Sequence, residues 1–311
     1  MVTERNHTVD FLKCICIVGV VLHHCSNRRL LPEAQNIFSY AAYLTDWCVI
    51  AFIGLSGFLE GKRLAPGKDL KASLTRDCKR LLIPFITLSF IYSALFQIVD
   101  LCGFTLRSSV SSTFTGKLLD TLFCRESGVA EQLYFLPLLL IIKIACLFTS
   151  RILPYLFVIT TGSLMWFVDE VHLTGFSQVT FLLGLLAYIL GLTAANNIRL
   201  AFTVALATGI SIAIRGNNWQ VLIALLLSSC APLCKINVPL CNLIGSASGT
   251  IFAYHTPVIL QSSLVGISRI HGIVGQCIAI VIAVSLIVIG IAVARARILG
   301  HSSVLTRILL L

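Results

Sequence analysis

The sequence predicts an all-α integral membrane protein, a bundle of about ten transmembrane helices with both termini cytoplasmic. Three observations carry that expectation. Of 311 residues, 57% are hydrophobic and only 12% charged, with mean hydropathy +0.95; a soluble domain carries about a quarter charged residues. The apolar residues gather into runs of about 17 to 24, long enough for a bilayer core. The basic residues collect on one side of those runs.

The runs lie near 11–27, 38–59, 81–102, 133–149 and 152–168, then near 175–193, 198–214, 219–234, 239–262 and 272–294. The first follows Arg5 but has no convincing small-x-small cleavage site, and more runs follow it, so it reads as a retained signal-anchor. The second is preceded by RLLPEAQN and followed by APGKDLK, both read as turns. The third leaves the basic stretch SLTRDCKR through Pro84. DEVH at 169–172, AANN, RGNN and SRIHG punctuate the later runs. Residues 1–311 read as a single transmembrane domain, with no fused extracellular domain expected.

With the N-terminus inside, residues 60–80 are cytoplasmic and carry Lys62, Arg63, Lys68, Lys71, Arg76, Lys79 and Arg80. Only Arg28, Arg29, Arg107, Lys117, Arg125, Arg215 and Arg269 then lie outside, 7 of the 23 Lys and Arg. That asymmetry sets the orientation by the positive-inside rule. The net charge of +10 therefore argues for membrane topology and not for nucleic acid. All thirteen acids precede Val171, which disfavours a proton- or sodium-coupled transporter with carboxylates in both halves. A transporter or flippase of envelope precursors is nevertheless the rival reading. The twelve cysteines sit mostly in apolar runs and read as small buried hydrophobes, with no metal site expected. Cys102 and Cys124 flank a loop and would pair in an oxidising compartment.

Polar groups inside spans are costly and mark function. In DFLKCICIVGVVLHHC, Asp10, Lys13, His23 and His24 share one helix. At about 100° per residue, Lys13 to His24 closes to about 20° and Asp10 to His24 to about 40°, whereas His23 stands about 80° from Lys13. Only His24 completes the stripe, roughly 16 Å from Lys13 along the axis. Both histidines wetted at the interface is the alternative. In LIGSASGTIFAYHTPVI, His255 lies about 22 Å from Leu240, a depth similar to that of His24. Pro257 loosens that helix. Ser56-Gly57 ends the second span and allows close approach of a backbone or a ligand. Arg76, Lys79 and Arg80 read either as positive-inside anchors or as a phosphate clamp.

Taken in order, D-x-L-K-x10-H, AFIGLSGFLEGK, R-x2-KRLLIPF, LYFLPLL and GSASGTIFAYHTPV resemble the membrane-bound acyltransferase-3 family from residue 10 to residue 258. The resemblance places the family's basic-x10-His motif on Lys13 and His24 and its FxxSG on Phe52, Ser56 and Gly57. It places the basic cluster on Arg76, Lys79, Arg80 and Pro84, and the late histidine motif on Ser248, Ile251, Phe252, His255 and Pro257. Lys13 stands where arginine is more frequent, and Tyr134 where tryptophan is usual. The resemblance implies a multi-pass enzyme of the plasma (inner) membrane that transfers acyl groups other than aminoacyl groups. Its co-substrate would be acyl-CoA, usually acetyl-CoA, with no permanently bound cofactor. Its acceptor would be a hydroxyl of a cell-surface glycan, a lipid-linked saccharide or a related molecule.

Such chemistry needs a base, a held thioester and a stabilised oxyanion. The expected catalytic set is His24 as base or transient acyl carrier, Lys13 and Asp10 on the donor side of the same stripe, and His255 orienting the acceptor or polarising the carbonyl. Arg76, Lys79 and Arg80 would hold CoA phosphates, and Ser56 and Gly57 would line the pantetheine path.

Overall fold

In a computed structural model, residues 6–25, 30–63, 70–103, 110–125, 128–148, 178–216, 219–230, 236–255 and 258–299 are described, and every element among them is helical. Helix α1 (His7–His23) starts at Asn6, whose side chain accepts the Val9 amide at 3.2 Å, so a free N-terminal donor is satisfied. It packs on α2 (Pro32–Thr45) and α3 (Trp47–Arg63). PEAQN is therefore no turn. It is the first turn of α2, with Pro32 in the position where a missing N–H costs nothing. The chain bends at Asp46, between α2 and α3.

Helix α4 (Leu70–Asp77) passes into a π-helical turn (Cys78–Leu82) and then α5 (Ile83–Leu101). Pro84 lies in the first turn of α5, where it cannot donate to the preceding turn, and the wider spacing sits just before it. Helix α6 (Phe114–Leu122) folds back on α5 and is pinned by Lys117, which is fully buried and bonded to Asp100 at 2.9 Å and Gln97 at 3.0 Å. Cys102 and Cys124 are both free thiols: Cys102 is exposed at the end of α5, while Cys124 packs on the core. The pairing considered from sequence is not made.

After α7 (Phe135–Phe148) come α8 (Gln178–Asn196), α9 (Ile198–Gly216) and α10 (Trp219–Cys230). The run at 152–168 and the turn at 169–172 lie outside the described residues. AANN and SRIHG do punctuate the chain, the first as a one-residue break at Asn197 and the second between α13 and α14. Helix α3 makes its broadest contact with α8. The run at 239–262 is three short helices: α11 (Pro239–Ser246), α12 (Ser248–Tyr254) and α13 (Val258–Ile267). Helix α14 (Ile273–Leu299) closes the bundle.

Among the described residues, four helical stretches are long and apolar enough to cross a membrane: Pro32–Lys62, Leu74–Leu101, Val179–Asn196 and Ile273–Ile298. Gln132–Cys146, Ile198–Ile214 and Trp219–Ser229 are shorter apolar helices. Helices α5 and α14 turn large apolar side chains outward, Phe90 at 55% and Leu286 at 68% exposure among them. In water those faces would be unfavourable, but against lipid chains they are ordinary. This is a membrane protein.

Candidate active site

Where α1 ends, its last side chains split between two partners. His23 closes the helix and its Nδ1 lies 2.8 Å from Asp46 Oδ1, with the Ala42 carbonyl 3.3 Å away. His24 caps the helix, and its ring centre is 5.3 Å from that of His255, with the planes tilted by 46°. The His23 and His24 rings also meet edge to face at 5.3 Å. The stripe argument and the depth argument both select His24, and the structure sets it against His255. Asp46, the partner of His23, gave no signal in sequence because it stands 23 positions away at a helix break.

His255 occupies the C-cap of α12, where its own carbonyl accepts the Leu260 amide at 3.1 Å across the segment containing Pro257, a residue outside the described set. Its Nδ1 lies 3.0 Å from the Ile251 carbonyl and 3.1 Å from that of Phe252. A carbonyl only accepts, so Nδ1 carries the proton and donates it to the helix. In the neutral ring, Nε2 is then a bare acceptor. Nε2 is buried without a hydrogen-bond partner, in a side chain that is 0% exposed. Buried acceptors are nearly always satisfied, so this one calls for a functional explanation.

A series of rings leads away from the histidines. Phe252 lies 6.1 Å from His255, Phe135 4.7 Å from Phe252, and Phe52 5.4 Å from Phe135. Lys13 Nζ stands 5.5 Å from the Phe52 ring centre, within cation–π range. The two ends of the α1 stripe are thus joined by aromatic contacts drawn from α3, α7 and α12. Asp10, on the same helix, passes so close to α11 that any side chain at Gly245 would overlap the Asp10 carbonyl. Phe135 was not legible as a site residue, because a phenylalanine in an apolar run resembles every other core residue.

The remaining candidates lie around the other end of α3. Arg76 bonds Glu60 at 3.3 Å and approaches Asp77 at 3.7 Å. Lys143, from α7, reaches the same two acids at 3.4 and 3.2 Å. Glu60, Asp77 and Lys143 are buried and Arg76 reaches them from the surface, half exposed, so that two cations balance two acids. Lys79 and Arg80 lie on the π turn and are exposed. Ser56 donates its hydroxyl to the Phe52 carbonyl at 2.9 Å. Gly57 sits in the seam with α8, where a β-carbon would overlap the Tyr188 carbonyl. Thus Lys79 and Arg80 present charge to water, Arg76 is engaged with acids, and Gly57 serves a helix crossing. Among the described residues, no group of three or more His, Cys, Asp or Glu is placed to hold a metal ion.

A family model described as an acyltransferase domain, that of the acyltransferase-3 family, matches residues 6–294. No curated protein and no solved structure matches the chain. The match covers nearly the whole chain and spans every residue of the site, so the chain belongs to this acyltransferase family.

Proposed function

From that membership, we propose that the protein is a membrane O-acyltransferase that moves an acetyl group from cytosolic acetyl-CoA to a hydroxyl of a cell-envelope glycan. The observation that carries the reading is the unpartnered Nε2 of His255 beside the His24 ring. Acyl transfer to a hydroxyl requires a proton acceptor in a dry place, and this is one.

In the proposed reaction, His24 takes the hydroxyl proton as the acceptor oxygen attacks the thioester carbon. The C–S bond breaks, and the proton ends on the departing thiolate, giving free CoA. His255, with its own proton held at Nδ1, shares the proton on His24 through Nε2 until that proton passes to the thiolate. A neutral His255 in this tautomer has no hydrogen to offer a carbonyl, so of the two roles expected from sequence, orienting the acceptor and polarising the carbonyl, the proposal keeps the first, with Nε2 as hydrogen-bond acceptor. Lys13 meets donor charge at the other end of the stripe, with Asp10 beside it on α1. Arg76, Lys79 and Arg80, all exposed, take the CoA phosphates, with Arg76 held in place by Glu60.

The topology that serves this reaction has about ten spans with both termini cytoplasmic, as the Lys and Arg asymmetry implies. It puts the π turn in the cytoplasm, in an inner (plasma) membrane. The test is mass spectrometry of envelope glycans from cells with and without the protein, alongside a His24→Ala variant. Loss of one acyl ester in both the null and the variant is expected. An unchanged ester inventory would refute the acceptor class.

A further inference from the structure

We infer that Tyr92 is a positioning residue for His255: its hydroxyl stands in for the backbone N–H that Pro257 lacks and so holds the turn from which His255 projects. The inference rests on the catalytic reading of His255 above and adds what keeps its ring in place.

Helix α12 (Ser248–Tyr254) has only seven residues, too few to be stable alone. Its last carbonyls lack the donors that a further turn would supply. The Ile251 carbonyl receives the His255 amide at 2.9 Å and, together with the Phe252 carbonyl, the Nδ1–H of His255. The next carbonyl, that of Ala253, would in a continuing helix receive the N–H of residue 257. That residue is proline, which has none. Ala253 is 0% exposed, so water does not make up the loss. Tyr92 does. From α5, 161 positions away, its hydroxyl donates to the Ala253 carbonyl at 2.7 Å. Tyr92 is itself buried, in the same packed core as Ile251, Phe252 and Ala253.

Without that hydroxyl a buried carbonyl is left bare, and the chain relieves the cost by shifting the turn. The same turn carries both carbonyls that fix the tautomer of His255. A shift therefore loosens Nδ1 and turns Nε2 away from His24, whose ring centre lies 5.3 Å from that of His255. Tyr92 acts through His255, and its effect falls on the rate of acyl transfer.

The experiment is solid-state NMR of the full-length protein in lipid bilayers, labelled with 15N at histidine. Mass spectrometry of envelope acyl esters from cells carrying each variant accompanies it. Seven histidines give few enough signals for that of His255 to be assigned by its loss in His255→Ala. The wild type should show His255 as the single Nδ1–H tautomer. Tyr92→Phe, which keeps the ring, should show a mixture of tautomers and about a ten- to hundredfold fall in the initial rate of ester formation. Ser93→Ala removes a neighbouring buried hydroxyl that bonds the Ser89 carbonyl of its own helix at 2.8 Å, and it should change neither readout. Either readout unchanged in Tyr92→Phe, or an equal change in Ser93→Ala, overturns the positioning role. In the wild type a through-space 13C contact between the Tyr92 ring and the Ala253 carbonyl is expected, and its absence overturns the role whether or not the variant folds. A wild type that forms no acyl ester overturns the proposed function, while the tautomer and the 13C contact still decide the link between Tyr92 and His255.

Discussion

The two polar regions of this protein solve the problem of buried polarity in opposite ways. Around Glu60, Asp77, Arg76 and Lys143, every charge has a partner of opposite sign within 4 Å. At the His24–His255 pair, one acceptor atom has none. A satisfied network gains little by meeting a substrate, because its hydrogen bonds are already made. An unsatisfied acceptor gains a hydrogen bond when a proton-bearing group arrives. In the proposed function the first region is structural and the second carries the chemistry, although the first has far more charge.

The sharpest way to break that contrast is to remove the histidines. His24→Ala and His255→Ala should each lower acyl transfer by about a hundred- to ten-thousand-fold, the scale of general acid–base catalysis. Both should remain in the membrane, His24→Ala with unaltered melting temperature in detergent and the fully buried His255→Ala with a modest decrease far smaller than its loss of activity. A fall in melting temperature matching the loss of activity would make the pair structural after all.

The charge network should behave in reverse. Lys143→Met leaves Glu60 and Asp77 sharing one cation, and removing one partner of a buried pair costs about 3 kcal/mol. Adding Glu60→Gln rebalances the site as one acid and one cation, so the double variant should regain much of the stability. Thermal unfolding in detergent measures both. A double variant that is the sum of two independent losses would mean that charge balance is not what holds the network.

A smaller effect is expected among the exposed cations at the π turn. Arg80→Glu should raise KM for acyl-CoA about tenfold, with a salt dependence, because a charge-assisted phosphate contact becomes a repulsion. Stability should not change. An unaltered KM would remove Arg80 from the donor site. The smallest change is expected at His23, whose partner is Asp46. His23→Ala should alter the rate by less than about fivefold, the scale of a part-exposed ion pair. A loss equal to that of His24→Ala would join the two histidines into one catalytic unit.

Much of this was legible in the residues. Long apolar runs were read as membrane helices because a bilayer leaves few other uses for them, and the helical period separated His24 from His23. Where the reading failed, the cause was local. PEAQN looks like a turn, but its proline costs nothing at a helix start, and its short helix is held in place by α1. The run at 239–262 looked continuous, yet it breaks at Ala247 and again beside His255.

By itself, the sequence determined the solvent this protein lives in, its helical class, and the α1 stripe that places His24 with Lys13. Those follow from composition and from a repeat of 3.6 residues, which act over neighbouring positions. Only the tertiary structure decided that His255 meets His24, that three phenylalanines bridge Lys13 to the pair, and that Lys143 answers Glu60 across 83 positions. It also fixed which nitrogen of His255 holds its proton, through carbonyls of its own helix and the burial that other helices impose. Pairings between distant helices depend on how their surfaces pack, and no local period encodes that.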